Sequence, residues 1–242
     1  MPGLSATTIL IGVNFLKDGM ANFKSWITSS VGKKQIVGLT GFGIALFALM
    51  HMAGNLIMFI SPKLYNIYGH QTTHMPLFPL LELLLLVAFL THIGFTLWLV
   101  RDNKRARPVG NVSTGKWPKS ASFAVRTIAL SGLLLLVFLV LHVITFKYGT
   151  YYSISYDGVE VRDLYRLLVE KFQSPTYVAW YSLCLVILGL HLSHGIASIC
   201  QSLGITGVRN PTLRKVSWAL AILIAGGFFI QPFWIMCQGG GL

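Results

Sequence analysis

The sequence has few charged residues, and very few of them are acidic. Charged side chains make up only 11% of its 242 residues, against about a quarter in a soluble globular domain. Because hydrophobic residues make up 54%, the chain belongs to the membrane class of proteins. Nineteen Lys and Arg stand against seven Asp and Glu. In a soluble protein this excess would suggest a nucleic-acid partner, but here the basic residues lie between apolar runs and indicate membrane topology, with no nucleic acid.

Cysteine motifs and a signal peptide are also missing. None of the three cysteines belongs to a CxxC or CxxCH motif, which excludes a covalent c-type haem site and a thiolate cluster for zinc or iron–sulfur. The N-terminus lacks the basic region and the clear small-residue cleavage site of a signal peptide. Its apolar run is too short to cross a bilayer, so we predict that segment 4–30 lies at the membrane interface.

Five apolar runs are long enough to cross a bilayer. Each has 21 to 25 residues, enough for a helix to cover a hydrocarbon core of about 30 Å. The predicted fold is all-α, a single membrane domain (1–242) with a bundle of five transmembrane helices. The predicted spans are 36–60, 77–100, 125–146, 177–200 and 216–236. A short loop follows the first span, and 147–174 is predicted as an outer loop with an amphipathic surface helix, whose apolar face holds Val161, Leu164, Leu168 and Phe172.

The basic residues are distributed unevenly between the two sides of the membrane. Fourteen Lys and Arg fall on the side of the N-terminus and five on the other side. By the positive-inside rule we expect the N-terminus in the cytoplasm and the C-terminus outside. The expected location is the bacterial inner (plasma) membrane.

The first four spans carry histidines in their apolar interiors. They are His51, His92, His142, and His191 with His194. An ionisable side chain in hydrocarbon is costly, so each one is a functional-site hypothesis. His51 and His142 both lie about 24 Å from the cytoplasmic ends of their helices. His92 and His191 both lie about 13–15 Å from that side, so the histidines form two layers roughly 10 Å apart.

Two facing histidines at one depth suit a cofactor held between them. Neutral imidazole binds iron well and two imidazoles leave no open position on it, so haem b is the natural candidate. Gly41, Gly43 and Gly195 would let a flat macrocycle approach the backbone. A single histidine could instead hydrogen-bond a neighbouring helix, which explains four at matched depths less well. Spacing does not choose between His191 and His194, which lie three residues apart on one helix face.

Four further residues are candidates near these layers. Glu82, about one and a half turns inside the outer end of the second span, could exchange protons with a quinone headgroup, and His74 could join it. Equally, Glu82 could snorkel or cap its helix, and His74 could be a solvated loop residue. Arg126 and Lys34, at cytoplasmic helix ends, could bind propionates of the inner haem or only fix the topology.

Three sequence features occur together and in order along nearly the whole chain. They are the segment SSVGKKQIVGLTGFGIALFALMHMAGNL, one histidine in each of the first four spans, and HLSHG followed by QSLG. This set resembles the di-haem cytochrome b subunit of succinate:quinone oxidoreductases and fumarate reductases, in the type with a single five-helix membrane subunit. The resemblance implies two b haems, menaquinone or another quinone, and two peripheral cytoplasmic subunits. One of these would carry covalent FAD and the other iron–sulfur clusters.

The resemblance also implies the pairing of the histidines. It pairs His51 with His142 at the outer haem, and His92 with His191 at the inner haem, as the depths do. The spacing of the family ligand to a glycine, here the one in Leu203-Gly204, selects His191 over its neighbour three residues later. The chain would then carry electrons between the iron–sulfur subunit and quinone, in a direction that the sequence leaves open. It would hold no dicarboxylate site, and whether the whole complex forms an oligomer also stays open.

Three alternatives remain. One is a cytochrome b subunit of a hydrogenase or formate dehydrogenase, which also uses intramembrane histidines in a different placement. Another is a haem-free proton-coupled transporter that uses the histidines and Glu82 as a relay, against which no internal repeat or pair of broken helices is evident. The third is a purely structural membrane anchor, which would not explain four depth-matched histidines.

Overall fold

The computed structural model describes residues 6–106, 119–205 and 210–238, with backbone alone for 6–16 and 119–127. The helices in this part are α1 Ala6–Thr28, α2 Ser30–Asn55, α3 Pro62–Thr73, α4 Phe78–Ala106, α5 Lys119–Phe146, α6 Leu164–Phe172, α7 Pro175–Ser202 and α8 Pro211–Cys237. Strands β1 Ser153–Tyr156 and β2 Val159–Arg162 pair antiparallel. A short 3-10 turn, Leu56–Phe59, extends α2.

Five of the described helices are long and apolar enough to cross a membrane. They are α2 with its 3-10 turn, α4, the Ile128–Phe146 part of α5, α7 and α8. This confirms the predicted helical bundle with five candidate spans, and it indicates a multi-pass membrane protein. Helices α2, α5, α7 and α8 begin earlier than the predicted spans, and in α2 and α8 side-chain oxygens cap the first turn. Ser29 accepts from the N–H of Gly32, and Asn210 accepts from the N–H of Thr212 and Leu213.

Helix α7 lies at the centre of the packing. It packs most extensively against α8, and α2 and α5 also lie against it. Helix α4 packs mainly against α2, its contact with α5 is slight, and it buries no residue of its own. Large apolar side chains exposed along these helices are what a lipid-facing surface requires, because hydrocarbon rather than water surrounds it.

The two ends of the bundle differ. The end where α2 begins and α4 finishes exposes several cations, and we call it the basic end; among them are Lys34, Arg101, Lys104 and Arg105. Here the buried Lys33 places its Nζ 2.6 Å from Asp102 Oδ2 and 3.8 Å from the ring centre of Trp98, which ties α2 to α4. The predicted interfacial segment contains α1, whose described side chains are largely exposed.

The opposite end, which we call the capped end, is covered by α3, the hairpin and α6. Leu168, Val169 and Phe172 of α6 are at most 6% exposed and pack against α7 and α8. The predicted helix therefore exists, but its apolar face is buried in protein. The prediction that Val161 belongs to this helix is wrong. It lies in β2, because Asp157-Gly158, with φ of 53° and 82°, forms the two-residue turn of a hairpin.

The loop predicted between the first two spans contains α3, which begins with a proline in its first turn. Asn66 of α3 is only 1% exposed. Its Nδ2 donates to Asp163 Oδ1 at 2.8 Å and to the Tyr156 hydroxyl at 3.2 Å. Its Oδ1 accepts from the Tyr165 N–H at 2.9 Å. One side chain thus ties α3, the hairpin and α6 together.

Candidate functional site

Two of the predicted histidines meet on the capped-end side of the bundle. The ring centroids of His51 on α2 and His142 on α5 lie 5.9 Å apart, with the ring planes at 81°. We call them the capped-end pair. Four phenylalanines surround them at centroid distances of 5.3 to 5.8 Å; they are Phe47, Phe138, Phe146 and Phe228. These rings surround the imidazoles with apolar material, which disfavours their charged form.

The centroid spacing of the capped-end pair is that of the ordinary ring contacts around it. It is also short enough for both imidazoles to reach one metal ion, because a metal–nitrogen bond is about 2 Å long. Among the described residues, no group of three or more His, Cys, Asp or Glu could hold a metal ion. A pair of histidines suits a metal whose other ligands belong to a macrocycle, as in haem.

Each ring of the capped-end pair also has a polar neighbour. The Tyr181 hydroxyl lies 3.3 Å from Nδ1 of His142. Asn55 Nδ2 donates to the His51 carbonyl at 2.8 Å, and it lies 3.4 Å from both ring nitrogens of that residue. Because a carbonyl only accepts, the Asn55 oxygen must face away, where it accepts from the Tyr65 hydroxyl at 2.9 Å. Burial raises the pKa of Tyr65, which keeps this hydroxyl protonated as a donor.

His92 on α4 and His191 on α7 are the other two predicted ligands, and we call them the basic-end pair. Each ring lies against the spanning helix that precedes its own. Nδ1 of His92 lies 3.1 Å from the Val37 carbonyl oxygen. Nδ1 of His191 lies 3.0 Å from the Ser131 hydroxyl, whose proton is donated to the Ile128 carbonyl at 2.9 Å. The Val37 carbonyl requires Nδ1 of His92 to carry the ring proton, and the Ser131 hydroxyl can accept from Nδ1 of His191 while it donates to Ile128. A proton on Nδ1 leaves the Nε2 lone pair for a metal.

The two pairs lie at different levels of the bundle. The His92 ring lies beside Val37 and Gly41 of α2, whereas the His51 ring stacks on Phe47. Phe47 follows these two α2 residues by ten and six positions, which is about 9–15 Å along a helix. This is near the separation of roughly 10 Å expected from the sequence.

The structure separates the two histidines that spacing could not distinguish. His191 faces α5 and the other member of the basic-end pair. His194 is exposed, and its Nδ1 donates to the Leu190 carbonyl of its own helix at 2.9 Å. The geometry therefore favours His191, although its role as a ligand stays a prediction.

Of the three glycines singled out in the sequence, only Gly41 lies against a histidine. A Cβ at Gly41 would lie 3.1 Å from His92 Cε1, whereas a Cβ at Gly43 or Gly195 would meet nothing within 4 Å. Sequence reasoning missed Gly132 on α5. A Cβ at Gly132 would lie 3.4 Å from Cε1 of His191, the other histidine of the basic-end pair. The available indication was its position directly after a serine, as Gly41 follows a threonine.

The two residues predicted for quinone chemistry have partners at the protein surface. Glu82 on α4 forms an ion pair with Lys147 at the end of α5, and both side chains are partly exposed. His74 is exposed, its ring stacks on His70 at 3.9 Å, and its Nδ1 donates to the His70 carbonyl at 2.8 Å. The contacts of these residues in the described structure are therefore with Lys147 and His70 rather than with the capped-end pair.

Of the two residues predicted to bind haem propionates, the structure describes the side chain of only one. Lys34 is exposed at the basic end, and its neighbour Lys33 is the lysine that turns inward. The side chain of Arg126 lies outside the described residues, although its backbone belongs to α5.

An open groove of about 600 Å³ lies between the 3-10 turn and α8 on the capped-end side. Its walls are almost entirely apolar; they are formed by Phe59, Phe229, Ile230, Phe233, Trp234 and Cys237. Such a groove offers no polar groups that would orient a quinone headgroup.

Comparison with known proteins adds no relative to this picture. No protein-family model matches the chain, and neither does any curated protein or solved structure. The function is therefore inferred from the residues and the geometry above.

Proposed function

We propose that this chain is the membrane-anchor cytochrome b subunit of a succinate:quinone oxidoreductase, which carries electrons between an iron–sulfur subunit and a membrane quinone. The observation that carries the proposal is the presence of two histidine pairs at two levels of one bundle, each pair contributed by two helices. The resemblance of the sequence to di-haem cytochrome b subunits supports the same assignment.

In this proposal His51 and His142 hold one haem b, and His92 and His191 hold the other. When bound, the haems would supply one-electron transfer, and these four histidines would hold them. Apolar surroundings at the capped-end pair favour neutral imidazoles, and acceptors at Nδ1 in the basic-end pair fix the tautomer and the orientation of the rings. A fixed Nδ1–H tautomer leaves Nε2 as the ligand atom in the basic-end pair.

We propose that the basic end faces the cytoplasm and docks the two peripheral subunits, one with covalent FAD and one with iron–sulfur clusters. The positive-inside rule supports this orientation. The exposed Lys34, Arg101, Lys104 and Arg105 would attract acidic partner surfaces or anionic lipid. The N-terminus would then be cytoplasmic and the C-terminus would lie outside a bacterial inner membrane. The dicarboxylate would react on the flavoprotein and not on this chain.

Quinone chemistry is proposed at the capped end, with menaquinone or another quinone as the substrate. Glu82 is the carboxylate proposed to exchange protons there, with His74 as a second group. Lys147 directly follows α5 and Glu82 belongs to α4. The contact between these two helices is slight, so the ion pair lies where a lipid-soluble molecule could approach between them.

The proposal is tested by a dithionite-reduced minus oxidised absorption spectrum of the complex purified through this chain, with haem quantified per chain. We expect two b-type haems. Replacing His92 by alanine should remove the signal of one haem and leave the other. His194→Ala is the matched control, because this histidine is exposed on the same helix as His191, and it should retain both haems.

Two other outcomes would change the assignment. A well-folded complex without haem would contradict the proposal and favour the proton-coupled transporter. Two haems together with co-purifying hydrogenase or formate dehydrogenase subunits would keep the histidine assignment and replace the partner enzyme.

A further inference from the structure

Helices α2 and α5 share a short sequence pattern. Each carries a hydroxyl residue, then a glycine, then a histidine ten residues after the glycine. The two sets are Thr40-Gly41 with His51, and Ser131-Gly132 with His142. Because eleven residues make about three helical turns, the hydroxyl and the histidine of each helix share one face.

In the structure each of these hydroxyl residues lies against the basic-end histidine of the next spanning helix. Thr40 Oγ1 is 3.4 Å from Nδ1 of His92, and Ser131 Oγ is 3.0 Å from Nδ1 of His191. A Cβ on the glycine that follows each hydroxyl residue would lie 3.1 Å and 3.4 Å from Cε1 of the same two rings. At Gly41 the missing side chain relieves a tight contact with the ring, whereas at Gly132 a Cβ would just touch the ring.

The helix pairs α2–α4 and α5–α7 are thus two copies of one arrangement. In each copy the first helix supplies a capped-end histidine and a hydroxyl–glycine support, and the second helix supplies a basic-end histidine. No internal repeat is evident in the sequence, because only these few positions recur while the lipid-facing residues between them differ.

We propose that Ser131 is a positioning residue of the basic-end site, which accepts the Nδ1–H of His191 and so sets how strongly that imidazole donates to iron. The proposal rests on the proposed function. In the other copy, the Val37 carbonyl at 3.1 Å is the closer acceptor for His92, and Thr40 at 3.4 Å is the weaker one. The nearer acceptor is thus a backbone carbonyl for His92 and a side chain for His191, so a side-chain substitution can remove the nearer acceptor only at His191.

The direction of the effect follows from ligand basicity. An acceptor at Nδ1–H makes an imidazole a more basic ligand. A more basic ligand stabilises ferric iron more than ferrous iron, which lowers the reduction potential. Loss of the Ser131 hydroxyl should therefore raise the potential of the basic-end haem and leave that of the capped-end haem unchanged.

The test compares Ser131→Thr with Ser131→Val in the purified complex, by redox titration of both haems. The two side chains have nearly the same shape and differ in the hydroxyl. We expect wild-type potentials in the threonine variant, which copies Thr40 of α2, and a higher potential at one haem in the valine variant. Thr40→Val is the control and should cause little change, because the Val37 carbonyl remains.

Each possible result either supports the proposal or overturns it. Loss of one haem in the valine variant, with both haems kept in the threonine variant, would also support a positioning hydroxyl. Equal potentials in the two variants, equal haem loss in both, or equal shifts at both haems would overturn it. A wild-type complex without haem would instead overturn the proposed function.

Discussion

Replacing Asn66 by alanine should release the structure that covers the capped end. The buried amide makes three hydrogen bonds, to Asp163, Tyr156 and the backbone N–H of Tyr165. A neutral hydrogen bond contributes about 1 kcal/mol and one to a charged group about 1.5–3 kcal/mol. The substitution should therefore cost about 3–5 kcal/mol of the free energy that docks the hairpin and α6 onto α3.

Hydrogen–deuterium exchange of the purified protein measures this cost locally. Because a tenfold change in an equilibrium constant corresponds to about 1.4 kcal/mol, amides of β2 and α6 that exchange through local opening should do so at least about a hundredfold faster. Amides in the middle of α7 should be unaffected, since the substitution lies at the end of the bundle.

Two variants sharpen the measurement. Asn103→Ala removes an exposed asparagine at the basic end and should leave the exchange of α6 unchanged. Asn66→Asp keeps the size of the side chain but places a carboxylate in the position that now donates to Asp163, so it should loosen α6 as well. Unchanged exchange of β2 and α6 in Asn66→Ala would refute the role assigned to this residue.

Two further predictions concern α2. Gly41→Ala should change the absorption spectrum or the retention of one haem, because its Cβ would displace the His92 ring by a few tenths of an ångström, whereas Gly43→Ala, with open space around it, should change neither. Identical spectra for the two variants would contradict this. Lys33→Met should lower the free energy of unfolding by about 1–3 kcal/mol in thermal melts, since it leaves the partly exposed Asp102 without its cation. Adding Asp102→Asn should recover part of that loss, and full additivity of the two changes would argue against a functional ion pair.

The spanning helices could be predicted because lipid imposes a simple rule on the sequence. A helix that crosses the hydrocarbon core needs about 20 predominantly apolar residues, so hydropathy alone located five candidates. The capped end follows no such rule. Asp157-Gly158 is a dipeptide typical of the two-residue turns of hairpins. The helical spacing of Val161 with Leu164 and Leu168 nevertheless led to the prediction of a helix that included Val161. Helix α3 was missed because the contacts that hold it in place include those of Asn66 with the hairpin and α6, which are distant in the sequence.

The candidate site, too, could be predicted from the sequence only in part. Depth along each helix predicted that His51 and His142 lie at one level, since a helix rises regularly by about 1.5 Å per residue, and the two rings are neighbours in the structure. Depth could not distinguish His191 from His194, because the choice depends on how α7 is rotated toward Ser131 on another helix. The ion pair of Glu82 with Lys147 likewise joins two helices and leaves no local pattern in the sequence.

The slight contact between α4 and α5 bears on how the protein is assembled. A rigid ring system about a nanometre wide does not enter a closed bundle, so two neighbouring helices must part while the proposed haems are inserted. Helix α4 buries no residue, whereas α7 and α8 pack extensively and α6 closes over their ends. The side of the bundle between α4 and α5 can therefore part at less cost than the side formed by α7 and α8. During biogenesis, closure of α4 and α5 against each other would complete maturation.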